Sequence, residues 1–227
     1  MRKGTCWQLG IVLFVLIVTA GGCNGLAGIG GKMPVVFKAD FEDSRLDEWK
    51  PTDSAAWRIE DGHGGNVLAL HQQSNYKPDV RSPVNINLIE DVVVTDFDLE
   101  LKMHSTTKDY GHRDMCLFFG YQDSSHFYYV HIANKSDAHA NSIFIVNGEP
   151  RVSIAQTRTE GTKWDENWHT VRLVRDVESG TIDVFFDDKA EPIMTAVDHH
   201  FTWGKVGVGS FDDTGQFDDI RLAGRKK

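Results

Sequence analysis

The sequence predicts an all-β sandwich or barrel. From Val35 onward apolar residues recur with period two, and short runs rich in Val, Ile, Phe, Tyr and Trp follow one another. Turn residues separate these runs at roughly 8–12 residue spacing, the rhythm of a β-sandwich. No window carries an i, i+3, i+4, i+7 apolar face of helical length.

Taken in order, Val35–Phe41 opens the series, and Trp57–Asp61 and Val67–His71 flank the turn signal Asp61-Gly62. Val92–His104 is the longest candidate. Met115–Gln122 and His126–Ala133 enclose Asp123-Ser-Ser125, and Ser142–Asn147 ends at Asn147-Gly148 before Arg151–Ala155. Trp168–Arg175 and Thr181–Asp187 lie either side of Ser179-Gly180 and end at Asp187-Asp188. Lys205–Phe211 and Phe217–Ala223 close the chain. Nothing repeats at a fixed period and no Pro- or Ser-rich linker divides the body, so residues 35–227 read as one domain.

The chain has 227 residues, 24 Lys+Arg against 33 Asp+Glu and a formal charge of −9. No net field draws phosphate, which argues against a nucleic-acid partner. With 25% charged and 11% aromatic residues, wholesale disorder is excluded as well.

The N-terminus reads as an export signal. Arg2 and Lys3 precede an apolar run from Ile11 to Ala20, too short for a spanning helix of about 20 residues. Ala20-Gly-Gly-Cys23 resembles a bacterial lipobox, so residues 1–22 are expected to leave and Cys23 to carry lipid. Ala20 stands where Leu is usual, and cleavage by ordinary signal peptidase is the alternative. Residues 23–34, rich in glycine, read as a flexible tether. Membrane contact is then expected only through the anchor, with the domain outside the cytoplasm. Of three cysteines, only Cys116 belongs to the body, so no disulfide framework exists there. Within Met115–Phe119 it reads as a small buried hydrophobe.

The order of landmarks is informative. Asp40-Phe-Glu42 and Trp49 precede Trp57-Arg-Ile-Glu-Asp-Gly62, then Asp96-Phe-Asp-Leu-Glu-Leu101 and Trp168-His-Thr-Val-Arg-Leu173. Gly180-Thr-Ile-Asp-Val184, Val206-Gly-Val-Gly-Ser210 and Phe217-Asp-Asp-Ile-Arg-Leu222 follow. From Val35 to Gly224 this resembles the concanavalin A-like lectin/glucanase superfamily, in its laminin-G-like and 3-keto-disaccharide-hydrolase-like branches. The resemblance implies a two-sheet antiparallel jelly roll whose concave face holds saccharide. It also leaves three functional classes open: a glycan-binding module, a glycoside hydrolase or polysaccharide lyase, and a protein-interaction module.

Candidate residues follow. Asp96, Asp98 and Glu100 alternate and so share a strand face, as the carboxylates of laminarinase-type glucanases do; catalysis needs two of them about 5–5.5 Å apart for retention. Tyr129 and His131 share the opposite face to Tyr128 and Val130. With Arg81, Arg113 and Asn141 they are the expected ligand residues: the phenol stacks on a sugar ring and the others direct hydrogen bonds to hydroxyls or a carboxylate. By resemblance to alginate-lyase-like enzymes, Tyr129 is the residue that would move a proton, although the lyase motifs themselves are missing. Zinc is not expected, because His126, His131, His139 and the His199-His200 pair have neither cysteine partners nor a His-Glu-x-x-His helix. A structural Ca2+ is expected instead, by resemblance, with Glu42 and Asp218 as ligands and a carbonyl of Gly62 nearby.

Overall fold

The computed structural model describes Met1, residues 33–187 and residues 190–227. The expected signal segment, residues 1–22, apart from Met1, and Cys23 lie outside the described residues. Met33–Lys227 form one compact unit. Its strands are β1 Val35–Ala39, β2 Trp49–Pro51, β3 Trp57–Gly62, β4 Gly65–Leu70, β5 Asn85–Ser105, β6 Asp114–Asp123 and β7 His126–Ala133. Next come β8 Ser142–Asn147, β9 Val152–Ser153, β10 Ala155–Arg158, β11 His169–Arg175 and β12 Thr181–Phe186. β13 Met194–Val197, β14 Gly204–Ser210 and β15 Gly215–Lys226 complete the series. The one helical element among the described residues is a single 3-10 turn, Ser54–Ala56.

Every strand pair is antiparallel, and the fold is a jelly-roll sandwich. β5 is long enough to serve both layers. Its first half pairs β2 and β14, and the order continues through β6, β7, β8 and β9. Its second half pairs β11 on one edge and β15 on the other. β12, β13 and β10 extend beyond β11, while β1, β4 and β3 join through β15.

The main core lies between the layers. Leu117, Phe119, Tyr128, Val130 and Ile132 meet Leu99, Leu101, Val171, Leu173, Val184 and Leu222. Alternation in β11 and β12 puts every second residue there, as half-buried strands require. β6, β7 and β8 do not alternate. Cys116-Leu-Phe-Phe119, Phe127-Tyr-Tyr-Val130 and Ile143-Phe-Ile-Val146 are apolar at consecutive positions and buried throughout. A strand apolar on both faces must be covered on both. A second cluster does this on the outer face, where Ile86, Leu88, Cys116, Phe118, Phe127, Tyr129, Phe144 and Val146 are packed by Val80, Tyr121 and Phe211.

Part of the cover is the segment 71–84 between β4 and β5, which brings Val80 onto this cluster. Ser74 donates its backbone N–H to the Asn85 side chain at 2.7 Å, and Val84 donates to the Phe211 carbonyl at 3.1 Å. Asn85, itself buried, donates to Ser210 Oγ and to the Asp213 carbonyl, tying the segment to the end of β14. The outer face of this sheet is therefore filled by the protein's own side chains.

Candidate functional site

Cys116 stands opposite His131 and Phe118 opposite Tyr129 in the β6–β7 pair; Tyr129 faces Phe144 of β8. Tyr129 and His131 do share the outer face, but that face is closed. Tyr129 is 0% exposed, its ring stacks on Phe144 at 5.1 Å, and its hydroxyl accepts from Arg151 Nη1 at 2.8 Å. Burial pushes its phenol well above the ordinary range. His131 is also buried, and its Nδ1 lies 3.0 Å from the His139 carbonyl.

Arg113 is buried too, beneath the loop before β6. It donates to Ser105 Oγ, to the Ser105 carbonyl at 2.7 Å and to the carbonyls of Trp164 and Asp165. Asn141 holds a left-handed backbone (φ 50°), a conformation asparagine tolerates, and its amide bridges the Ala133 N–H and the Thr159 carbonyl. The expectation that Arg113, Tyr129, His131 and Asn141 line an open ligand face is thus corrected: all four are buried and occupied by structural hydrogen bonds. Arg81 alone of the five is exposed.

The solvent-facing chemistry sits at the rim of the covered face. Arg151, half-buried, places its guanidinium 4.2 Å over the Phe211 ring and 4.9 Å over Phe144. Its backbone N–H donates to the Arg81 carbonyl at 3.2 Å, and the Arg81 guanidinium lies 6.0 Å over the same Phe211 ring. Asp212 follows, exposed, and Tyr110 donates its hydroxyl to the Asp213 carboxylate. Burial, and then the neighbouring Asp114 carboxylate, push Asp213 up to about 6 and raise Asp212 as well. Two planar cations beside an acceptor carboxylate on an aromatic base can bind a polyhydroxylated or anionic ligand through several directed hydrogen bonds. Arg151 escaped the sequence reading; its place three residues after Gly148, at the entry to β9, is the signal that marks it.

The other candidates lie on the opposite layer. Asp98 is held by Arg172 through two bonds of 2.8 and 2.7 Å, and Asp96 accepts from the Val177 N–H and from Arg225. Glu100 is exposed. With two of the three acids already engaged, this strand does not present a free carboxylate pair. The early acidic segment does run beside the last strand, since β1 pairs β15. Asp218, however, is bound by His63 Nδ1 at 3.0 Å, and Glu42 accepts from the Asn66 N–H at 3.1 Å. The donor set around Asp218 is His63 and Asp219, and a ring nitrogen does not suit an ion that takes oxygen ligands. Glu42 is not part of the group gathered at Asp218.

No protein-family model matches the sequence, and no curated protein does. Solved structures do. A carbohydrate-binding module, CBM66 of Bacillus subtilis, is 17% identical, with 78% of this chain and 95% of that one covered at a TM-score of 0.54. Domain 4 of AbnA, an extracellular arabinanase of Geobacillus stearothermophilus solved with arabinotriose, is 11% identical, covering 86% and 95% at 0.57. The winged bean acidic lectin, bound to methyl-α-D-galactose, is 12% identical, covering 84% and 98% at 0.59. The likeness is one of fold. It agrees with the lectin-like jelly roll that the order of sequence landmarks implied.

Proposed function

We propose that this chain is an extracytoplasmic saccharide-binding module of the cell envelope, and that its glycan is held at the rim formed by Arg81, Arg151 and Asp212. The reading rests on that rim: paired guanidinium groups, braced by Phe211, point the donors that sugar hydroxyls and uronate carboxylates accept, beside a carboxylate that accepts in turn. Similar folds whose names record sugar ligands support it. A lyase acting through Tyr129 is disfavoured, because the phenol is sealed and engaged by Arg151. A glycan array probed with the full chain is the test, and binding to neutral or uronate-containing oligosaccharides is expected. Arg81→Ala, a surface change, should weaken that binding about tenfold or more, the scale of one lost charged hydrogen bond. An array with no glycan bound rejects the reading in favour of a protein-interaction module.

Export and anchoring belong to the same proposal. Lipid on Cys23, supported by Ala20-Gly-Gly-Cys23 after an apolar run, would hold the domain at the membrane surface. Metabolic labelling with a clickable palmitate should mark the wild type and not Cys23→Ala; equal labelling of both removes the anchor from the account.

A further inference from the structure

We infer that Asp114, Cys116 and His131 form a binding site for one zinc-class divalent cation under the outer face of the β6–β7 pair. The inference does not depend on the glycan reading. Cys116 and His131 are cross-strand partners, and Asp114 lies two residues before Cys116 on the same strand face. All three residues are buried, and their ligand atoms lie within 4.8 Å of one another.

The local polar arrangement is incomplete without a cation. His131 Nδ1 faces the His139 carbonyl, an acceptor, so that nitrogen carries the proton. The Nε2 atom lies 3.2 Å from Asp114 Oδ2 and makes no hydrogen bond. Asp114 Oδ1 is likewise buried and unpartnered. Two buried polar atoms without partners, one on each of two neighbouring side chains, are costly to leave so.

Zinc suits this donor set. Thiolate, imidazole and carboxylate are its usual ligands, whereas calcium and magnesium avoid sulfur and nitrogen. Tetrahedral coordination at the usual bond lengths separates ligand atoms by about 3.3–3.6 Å. Asp114 Oδ2 stands 3.2 Å from His131 Nε2 and 3.3 Å from Cys116 Sγ. The outer supports are present as well: the His139 carbonyl orients the imidazole, and the Phe211 N–H donates to Asp114 Oδ2 at 2.8 Å. A divalent ion with one carboxylate and one thiolate makes a neutral buried unit, and binding releases the thiol proton to solvent. Exposed Asp212 gathers with Asp114 and Asp213 and offers a carboxylate route from solvent to Asp114, and a water takes the fourth position.

The full chain, stripped with chelator, is titrated with Co2+ and then Zn2+. One Co2+ per chain should bind with a near-ultraviolet thiolate charge-transfer band, and Zn2+ should abolish that band. At a hundredfold excess over its dissociation constant, Zn2+ should raise the melting temperature by about 5–10 °C. Cys116→Ala should lose both effects. A wild type with neither band nor shift overturns the site, leaving a proton between His131 and Asp114. A band undiminished in Cys116→Ala overturns it too, by placing the ion on Cys6 or Cys23. If Cys116→Ala does not fold, the Cys6→Ser/Cys23→Ser variant decides: it must keep the band, and losing it rejects the site.

Discussion

Arg113→Ala is expected to lower the unfolding free energy by about 4 kcal/mol, the scale of removing one member of a buried charged network. Arg113 is 1% exposed and donates to oxygens on two separate segments: Ser105 at the end of β5 and the adjacent carbonyls of Trp164 and Asp165. Alanine leaves these acceptors buried without donors and opens a cavity beside Trp164, itself 1% exposed with its indole N–H on the Ile132 carbonyl. Lysine is not a substitute, because one ammonium cannot span carbonyls that a planar fork reaches from three nitrogens. Urea unfolding followed by tryptophan fluorescence checks this. A loss below about 1 kcal/mol would mean that water replaces the guanidinium at little cost.

Tyr129→Ala is expected to cost about 3–5 kcal/mol of stability, as for other fully buried aromatics truncated to alanine. The ring fills the second cluster between Phe118, Phe127 and Phe144. Tyr129→Phe keeps the packing and loses only the Arg151 bond, so about 1 kcal/mol is expected. The two variants separate packing from polarity in the same denaturation experiment. Equal losses in both would assign the whole effect to the hydroxyl.

The sequence reading located the strands that carry strong patterns. His126–Ala133 and Ser142–Asn147 match the structure residue for residue, because unbroken apolar runs end at Asp and Asn-Gly turns. β5 is longer than the pattern implied. Asn85, Asn87, Glu90 and Asp91 look like turn chemistry in one dimension, whereas Asn85 pairs with Ser210 and Asp213 far along the chain. β2 and β13 are three and four residues long and are held by their neighbours rather than by any propensity of their own. The site was less legible. That Tyr129 and His131 share a face follows from period two, but that the face is covered depends on where Val80, Arg151 and Phe211 come to lie. The consecutive apolar positions of β6, β7 and β8 did carry this information: a groove-lining strand has no need of Phe118, Phe127 and Phe144 beside its polar residues. Cys116 and His131 meet because the β6–β7 pairing brings them into register, and counting outward from Asp123 and His126 through the bulge at Gly120 was required to see it.

The central claim is that glycan is bound at the Arg81–Arg151 rim rather than on the opposite layer. Calorimetric titration of the strongest array glycan into the wild type, Arg81→Ala and Arg58→Ala tests it directly. Arg58 is an exposed arginine on β3, part of the other sheet, and serves as the matched control. The account predicts at least about tenfold weaker binding for Arg81→Ala and an affinity within about twofold of the wild type for Arg58→Ala. The reverse pattern would place the glycan on the other face and contradict the account.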